Sequence, residues 1–168
     1  MLLLTLVRHA KSSWDDPALD DFDRPLNARG ERDAPRMALH VKRALGSPDR
    51  ILSSPAVRAL TTARVFAETL GVSAARFDQR PRIYYEASAE TLLTLVQMLD
   101  DDDRHVMLFG HNPGLTDLAH RLARCSFDDM PTCAVVQIGF DVKSWSDVDE
   151  RAGTQRFYAF PKQFRDKV

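Results

Sequence analysis

Three short apolar runs, at residues 2–7, 50–54 and 105–109, each lead to a basic or imidazole side chain and then to a stretch of helical periodicity. This alternation limits the possible folds more than any other feature of the chain. A strand followed by a helix and a further strand is the unit of a mostly parallel sheet covered on both faces. In such a sheet the strand-to-helix loops share the carboxyl edge, where open α/β sheets hold ligands. The residues carried to that edge are Arg8 and His9, Arg58, and His111. The expected fold is therefore α/β, in three α/β/α layers with a mostly parallel central sheet flanked by helices, as a single domain over residues 1–168.

The remaining pattern fills in the elements. Residues 11–27 are rich in aspartate, carry Trp14, Phe22, Pro17 and Pro25, and read as a long loop lying over the carboxyl edge. Met37, Val41 and Leu45, with Leu39 beside them, mark one face of a helix over 29–45, with Pro35 in its first turn or bending it. A second helix is expected over 56–70, with Pro55 at its first position and Gly71 as its cap. Weak extended segments follow at 75–77 and 82–84, then a helix over 89–99 capped by Ser88, and another over 115–123. Two closing strands at 133–140 and 156–160, antiparallel to each other or to the rest, complete the sheet. The acidic run 100–103 reads as a solvated turn.

Composition narrows the function. A net charge of −1 gives no overall attraction to nucleic acid or to an anionic membrane, so any preference for anions has to be local. The apolar start is shorter than the roughly 7–15 residues of a signal-peptide core, which makes a cytoplasmic protein the expectation. Cys125 and Cys133 are too few for a disulfide framework or a four-ligand zinc site and read as buried free thiols. No metal and no organic cofactor are expected.

A neutral imidazole flanked by guanidinium groups suits phosphoryl chemistry. Arginine forks make paired, charge-assisted bonds to phosphoryl oxygens, and neighbouring positive charge keeps the imidazole unprotonated. Histidine is an established covalent nucleophile, and two displacements are easier than one direct attack by water. His111 precedes Asn112, and if Asn112 caps the next helix, the positive end of that helix faces the same pocket. His40, His105 and His120 stand in no such context and read as structural.

The ordered blocks carry a family resemblance. Leu6-Val7-Arg8-His9-Ala10, Arg24-Pro25-Leu26-Asn27-Ala28-Arg29-Gly30, Ser53-Ser54-Pro55-Ala56-Val57-Arg58-Ala59-Leu60-Thr61-Thr62-Ala63 and Gly110-His111-Asn112-Pro113 resemble the histidine phosphatase superfamily, with its phosphoglycerate mutase-like fold. The SixA-type phosphohistidine phosphatases are the most similar branch. The resemblance implies His9 as nucleophile, Arg8 and Arg58 as phosphoryl ligands, and His111 as ligand and transition-state stabiliser. Ala10 stands where the family usually has glycine and removes no reacting group. Relatives often place a proton donor near Glu86, which makes Glu86 the candidate general acid. Arg24 either reaches the pocket as a substrate ligand or anchors the loop. Asn27 caps the following helix, Ser12 and Ser13 read as polar loop residues, and Trp14 and Phe22 either line the mouth or pack the loop onto the body. The expected substrate is a phosphorylated protein side chain, phosphohistidine first. A small phosphorylated metabolite is the alternative, and a phosphate-binding module of negligible turnover is the second. Neither nucleic acid nor membrane is an expected partner.

Overall fold

The computed structural model describes residues 1–165. Six strands form one sheet: β1 (Leu2–Arg8), β2 (Arg50–Ser53), β3 (Phe77–Gln79), β4 (His105–Gly110), β5 (Val135–Phe140) and β6 (Gly153–Ala159), in the order β3-β2-β4-β1-β5-β6. The first four run parallel, β5 pairs antiparallel with β1, and β6 pairs antiparallel with β5. Strand alternation divides the core between the two faces. Leu2, Leu4, Leu6, Leu52, Val106 and Leu108 pack against α4 (Ala89–Gln97) and α5 (Gly114–Leu122), while Val7, Ile51, Met107 and Phe109 pack against α1 (Ala28–Leu45) and α2 (Val57–Leu70). This is the three-layer α/β/α architecture expected from the alternation.

Where element boundaries or environments depart from the sequence reading, each departure has a local cause. Residues 82–84 belong to a helical turn, α3 (Arg82–Tyr85), because Pro81 has a helical φ of −53° and its carbonyl accepts from Tyr84 N and Tyr85 N. Pro35 lies in the interior of α1, on its solvent face, where water can take the carbonyl that the ring leaves without a donor. Leu39 also faces solvent, one step off the buried stripe of Met37, Ala38 and Val41. Pro55 stands ahead of α2, whose cap is Ala56, while Gly71 ends that helix in the left-handed region at φ 71°. The acidic turn is only partly solvated: Asp103 is buried, accepts from Arg50 Nε at 2.6 Å and pairs with Arg76 at 3.6 Å. Cys133 is buried and Cys125 half-buried, both as free thiols. Among the described residues no helix is long and apolar enough to cross a membrane.

Candidate active site

The parallel register fixes the first two site residues. Arg8 stands opposite Gly110, and His9 N donates to Gly110 O at 3.1 Å, so the ends of β1 and β4 bring His9 and His111 together with ring centroids 5.2 Å apart. Beyond β2, Ser54 N donates to Phe109 O at 3.0 Å, and the chain enters α2, whose first turn carries Arg58. Cys133 closes the other side. Its N–H donates to both Arg8 O (3.1 Å) and His9 O (3.0 Å), a geometry reached at a φ of 61°, which is uncommon for a residue with a side chain.

Both imidazoles are held in defined states. His9 Nδ1 donates to Ala10 O at 2.7 Å, which leaves Nε2 with a free lone pair. Burial pushes the His9 pKa down to about 3, and the charges of Arg58 and Arg8 act in the same direction. His111 is lowered to about 4, again first by burial and then by Arg58, with Asp21 opposing. Ser54 Oγ accepts from Ala56 N at 3.1 Å, so its own proton is free for His111 Nε2, 2.7 Å away. That arrangement puts the ring proton of neutral His111 on Nδ1, which is buried and unpartnered.

The two guanidinium groups are anchored by their terminal nitrogens. Arg8 Nη1 donates to Met130 O at 2.9 Å, and Arg58 donates through Nη1 to Asp21 O (2.7 Å) and through Nη2 to Asp21 Oδ2 (3.0 Å). Among the described residues, Nε of each is buried and finds no partner, like Nδ1 of His111. Buried donors are rarely left orphaned, and three on three neighbouring residues are an invitation to an anion. Burial lowers the Arg8 pKa, Asp129 raises it and Arg58 lowers it further. A guanidinium remains charged through such shifts. Lone-pair nitrogen, orphaned donors and fixed positive charge together can bind a tetrahedral oxyanion and attack its centre.

Asp21 is one site residue that sequence reasoning missed. It sits on the long loop with no periodic or motif signal around it, and its role exists only once that loop closes on α2. Its carboxylate accepts from Arg24 Nη2 (3.1 Å), Arg58 Nη2 (3.0 Å) and Tyr84 OH (2.8 Å). Burial pushes its pKa up, but those bonds and the Arg58 charge together hold it down to about 2. Arg24, buried at 7% exposure, also donates to Ser12 Oγ at 2.9 Å and lies 3.5 Å above the Trp14 ring. It thus anchors the loop and reaches the edge of the cup through Asp21. Thr62, in α2, was also missed: its Oγ1 accepts from Ala10 N (3.0 Å) and donates to Arg58 O (2.8 Å), joining the two site segments.

The other candidates are distributed as follows. Glu86 ends α3 with an exposed carboxylate paired to Arg82 at 3.5 Å, two residues after Tyr84, whose ring meets His111 edge-on at 5.5 Å. Phe22 packs on Tyr84 and Tyr85, whereas Trp14 is 72% exposed. Asn27 caps α1 by accepting from Gly30 N, and Asn112 Oδ1 accepts from Thr116 N at 3.2 Å in the first turn of α5. His105 is structural, bonded to Thr5 Oγ1 at 2.7 Å inside the sheet. A cavity of about 790 Å³ between β2, β3 and α4, lined by Arg50, Asp78, Arg80 and Met98, holds none of the four cup residues. Among the described residues no group of three or more histidine, cysteine, aspartate or glutamate side chains is arranged to hold a metal.

Comparison with known proteins gives this geometry a family. The family model of the histidine phosphatase superfamily, branch 1, matches residues 4–83, the part that carries Arg8, His9 and Arg58. An uncharacterised chloroplastic protein of Arabidopsis thaliana is 33% identical over 157 residues, 89% of this chain and 72% of that protein. An uncharacterised protein of Mycobacterium tuberculosis is 31% identical over 153 residues, 85% of this chain and 92% of that one. In three dimensions, the structure of the protein histidine phosphatase SixA complexed with tungstate matches with a TM-score of 0.82 at 21% identity, over 98% of this chain and 100% of that chain. The expected phosphoglycerate mutase-like fold is therefore the observed one. With strand ends, imidazole pair and arginine cup in that arrangement, the chain belongs to the histidine phosphatase superfamily.

Proposed function

We propose that the protein is a metal-independent phosphatase that works through a phosphohistidine at His9 and acts on phosphohistidine in proteins. The observation that carries the reading is the set of unpartnered buried atoms, Arg8 Nε, Arg58 Nε and His111 Nδ1, around a histidine whose only free nitrogen is Nε2. In the first step Nε2 of His9 attacks phosphorus and a new P–N bond forms. The substrate's P–N bond breaks, and its electron pair stays on the leaving imidazole, which departs neutral when its other nitrogen carries a proton. In the second step water attacks the phosphorus on His9 and a new P–O bond forms, the P–N bond breaks with its electron pair returning to Nε2, and the water's remaining protons leave with inorganic phosphate or pass to solvent. Arg8, Arg58 and His111 donate to the phosphoryl oxygens in both steps, the kind of preset electrostatic stabilisation on which phosphoryl transfer relies. Arg24 contributes by holding Asp21 and the loop. The name of the SixA structure, a protein histidine phosphatase, supports the substrate class.

Hydrolysis of a small phosphomonoester is the second reading, favoured by the place of Glu86 just beyond the Tyr84 ring that contacts His111. An alcohol leaves poorly without a proton donor, and Glu86 would supply the proton. Initial rates on phosphohistidine protein, aryl phosphate and sugar phosphates separate the two. We expect phosphohistidine to be fastest, an acid-labile and base-stable adduct to form, and His9→Ala to remove both adduct and turnover. Activity that survives His9→Ala overturns the mechanism. Glu86→Gln should leave phosphohistidine hydrolysis unchanged, and a loss confined to alkyl esters would assign Glu86 as their acid. Tight tungstate binding with no turnover on any substrate would mark a binding module instead.

A further inference from the structure

The loop that closes the cup has a second chemistry on its outer side. Residues 15–23 include five aspartates. Asp21 is occupied by Arg24, Arg58 and Tyr84, but Asp15, Asp16, Asp20 and Asp23 are exposed, and among the described residues none of these four forms an ion pair. Apolar groups stand beside them. Trp14 (72% exposed), Leu19 (39%) and, across the mouth, Tyr85 (69%) are three of the six large apolar side chains that the described surface leaves open. This rim is fastened to the cup at several points: Trp14 lies on Arg24, Phe22 stacks on Tyr85 at 6.2 Å, and Asp21 binds Arg58. A cationic cup that receives an anion is thus entered past a wall of unpaired carboxylates.

Such a wall discriminates by what carries the phosphoryl group. A free metabolite with several negative charges meets like charge on approach, whereas a phosphoryl group borne on a cationic surface is drawn in. Exposed aromatic and aliphatic side chains among the charges fit a polypeptide surface, which buries them, better than a small hydrated anion. We propose that this acidic, aromatic rim docks a basic polypeptide surface, so that the preferred substrate is a phosphorylated side chain flanked by lysine or arginine. The proposal rests on the phosphatase reading and adds the chemistry of the partner to it.

The test uses two phosphohistidine peptides, one flanked by lysine and one by glutamate, with phosphoimidazole as a small substrate that cannot reach the rim. For the unaltered protein at low salt, kcat/KM should favour the lysine peptide by about tenfold or more, and the preference should shrink as salt screens the rim. In a variant carrying Asp15→Asn, Asp16→Asn, Asp20→Asn and Asp23→Asn the preference should narrow to about twofold, with saturated turnover of phosphoimidazole unchanged. Equal rates on the two peptides, or a preference that survives in the variant, overturn the rim while phosphoimidazole turnover keeps the phosphatase reading. If nothing is hydrolysed, the same peptides titrated onto His9→Ala protein decide the rim separately. Tighter binding of the lysine peptide upholds it, and equal binding rejects it.

Discussion

In the proposed mechanism His9 attacks from the position in which the Ala10 carbonyl holds its ring, and the peptide of Ala10 is itself held by Thr62. The Thr62 hydroxyl is fully buried and accepts from Ala10 N–H at 3.0 Å. Thr62→Val keeps the shape and removes that acceptor, so we expect a loss of about 1–3 kcal/mol, the usual penalty of one unsatisfied buried donor. Because the anchor of the nucleophile loosens at the same time, kcat should fall by more than KM rises, and Thr62→Ser should restore both. Urea titration and steady-state kinetics on the two variants check this; unchanged kcat in Thr62→Val would remove Thr62 from the support of His9. Arg8, His9, Arg58 and His111 were legible because each follows an apolar run that announces a strand end. Asp21, Thr62 and Cys133 were not, since each acts through a bond to a segment distant in the chain, and no local pattern records such a bond.

Among elements, the positions of α1 and α5 depend on close backbone approach. A side-chain Cβ at Gly114 would run into the carbonyl oxygen of Ala87, and one at Gly30 would meet Lys11 O. Both contacts lie where a helix starts beside the mouth: Gly114 opens α5 three residues after His111, and Gly30 lies in the first turn of α1 behind the loop. Gly114→Ala should therefore push residues 86–88 outward and cost about 1–3 kcal/mol, the usual price of overpacking. Thermal unfolding would show the loss, and a Tm equal to that of the unaltered protein would mean that the segment yields without strain. Elements were legible in proportion to their length. The 18-residue α1 and the core strands carry enough apolar periodicity to be read, whereas the four-residue α3 depends on one proline and could not be separated from an extended segment.

For the whole molecule, buried imidazoles tie stability to pH. His9, His105 and His111 have pKa values lowered from 6.5 to about 3, about 4 and about 4, each mainly by burial. The unfolded chain takes up their protons near pH 6.5, and the folded chain does not until near pH 4 or below. Stability is therefore intact above about pH 6.5 and falls as pH drops through that window, by up to about 1.4 kcal/mol per pH unit for each histidine. Three such groups together can remove a large part of an ordinary folding free energy of about 5–15 kcal/mol. Urea midpoints at pH 7, 6 and 5 should decline steadily at constant m, and His105→Gln, away from the cup, should reduce the slope by about a third. A midpoint independent of pH over that range would contradict the buried, neutral state of these rings. The mostly parallel sheet itself was legible because its central parallel strands β1, β2 and β4 are buried on both faces and read as apolar runs.

The pairing of Arg8 with Gly110 across β1 and β4 makes the site subject to parity. Successive strand residues face opposite sides, so sliding β1 by one position would exchange the places of guanidinium and imidazole while leaving the hydrogen-bond ladder possible. The apolar residues of β1 forbid that slip, because Leu2, Leu4 and Leu6 belong to one core and Val7 to the other. The hydrophobic sides of a strand thus act as the key that selects which of two adjacent letters, arginine or histidine, faces the cup, and selection on packing and selection on chemistry fall on one short stretch, residues 2–9.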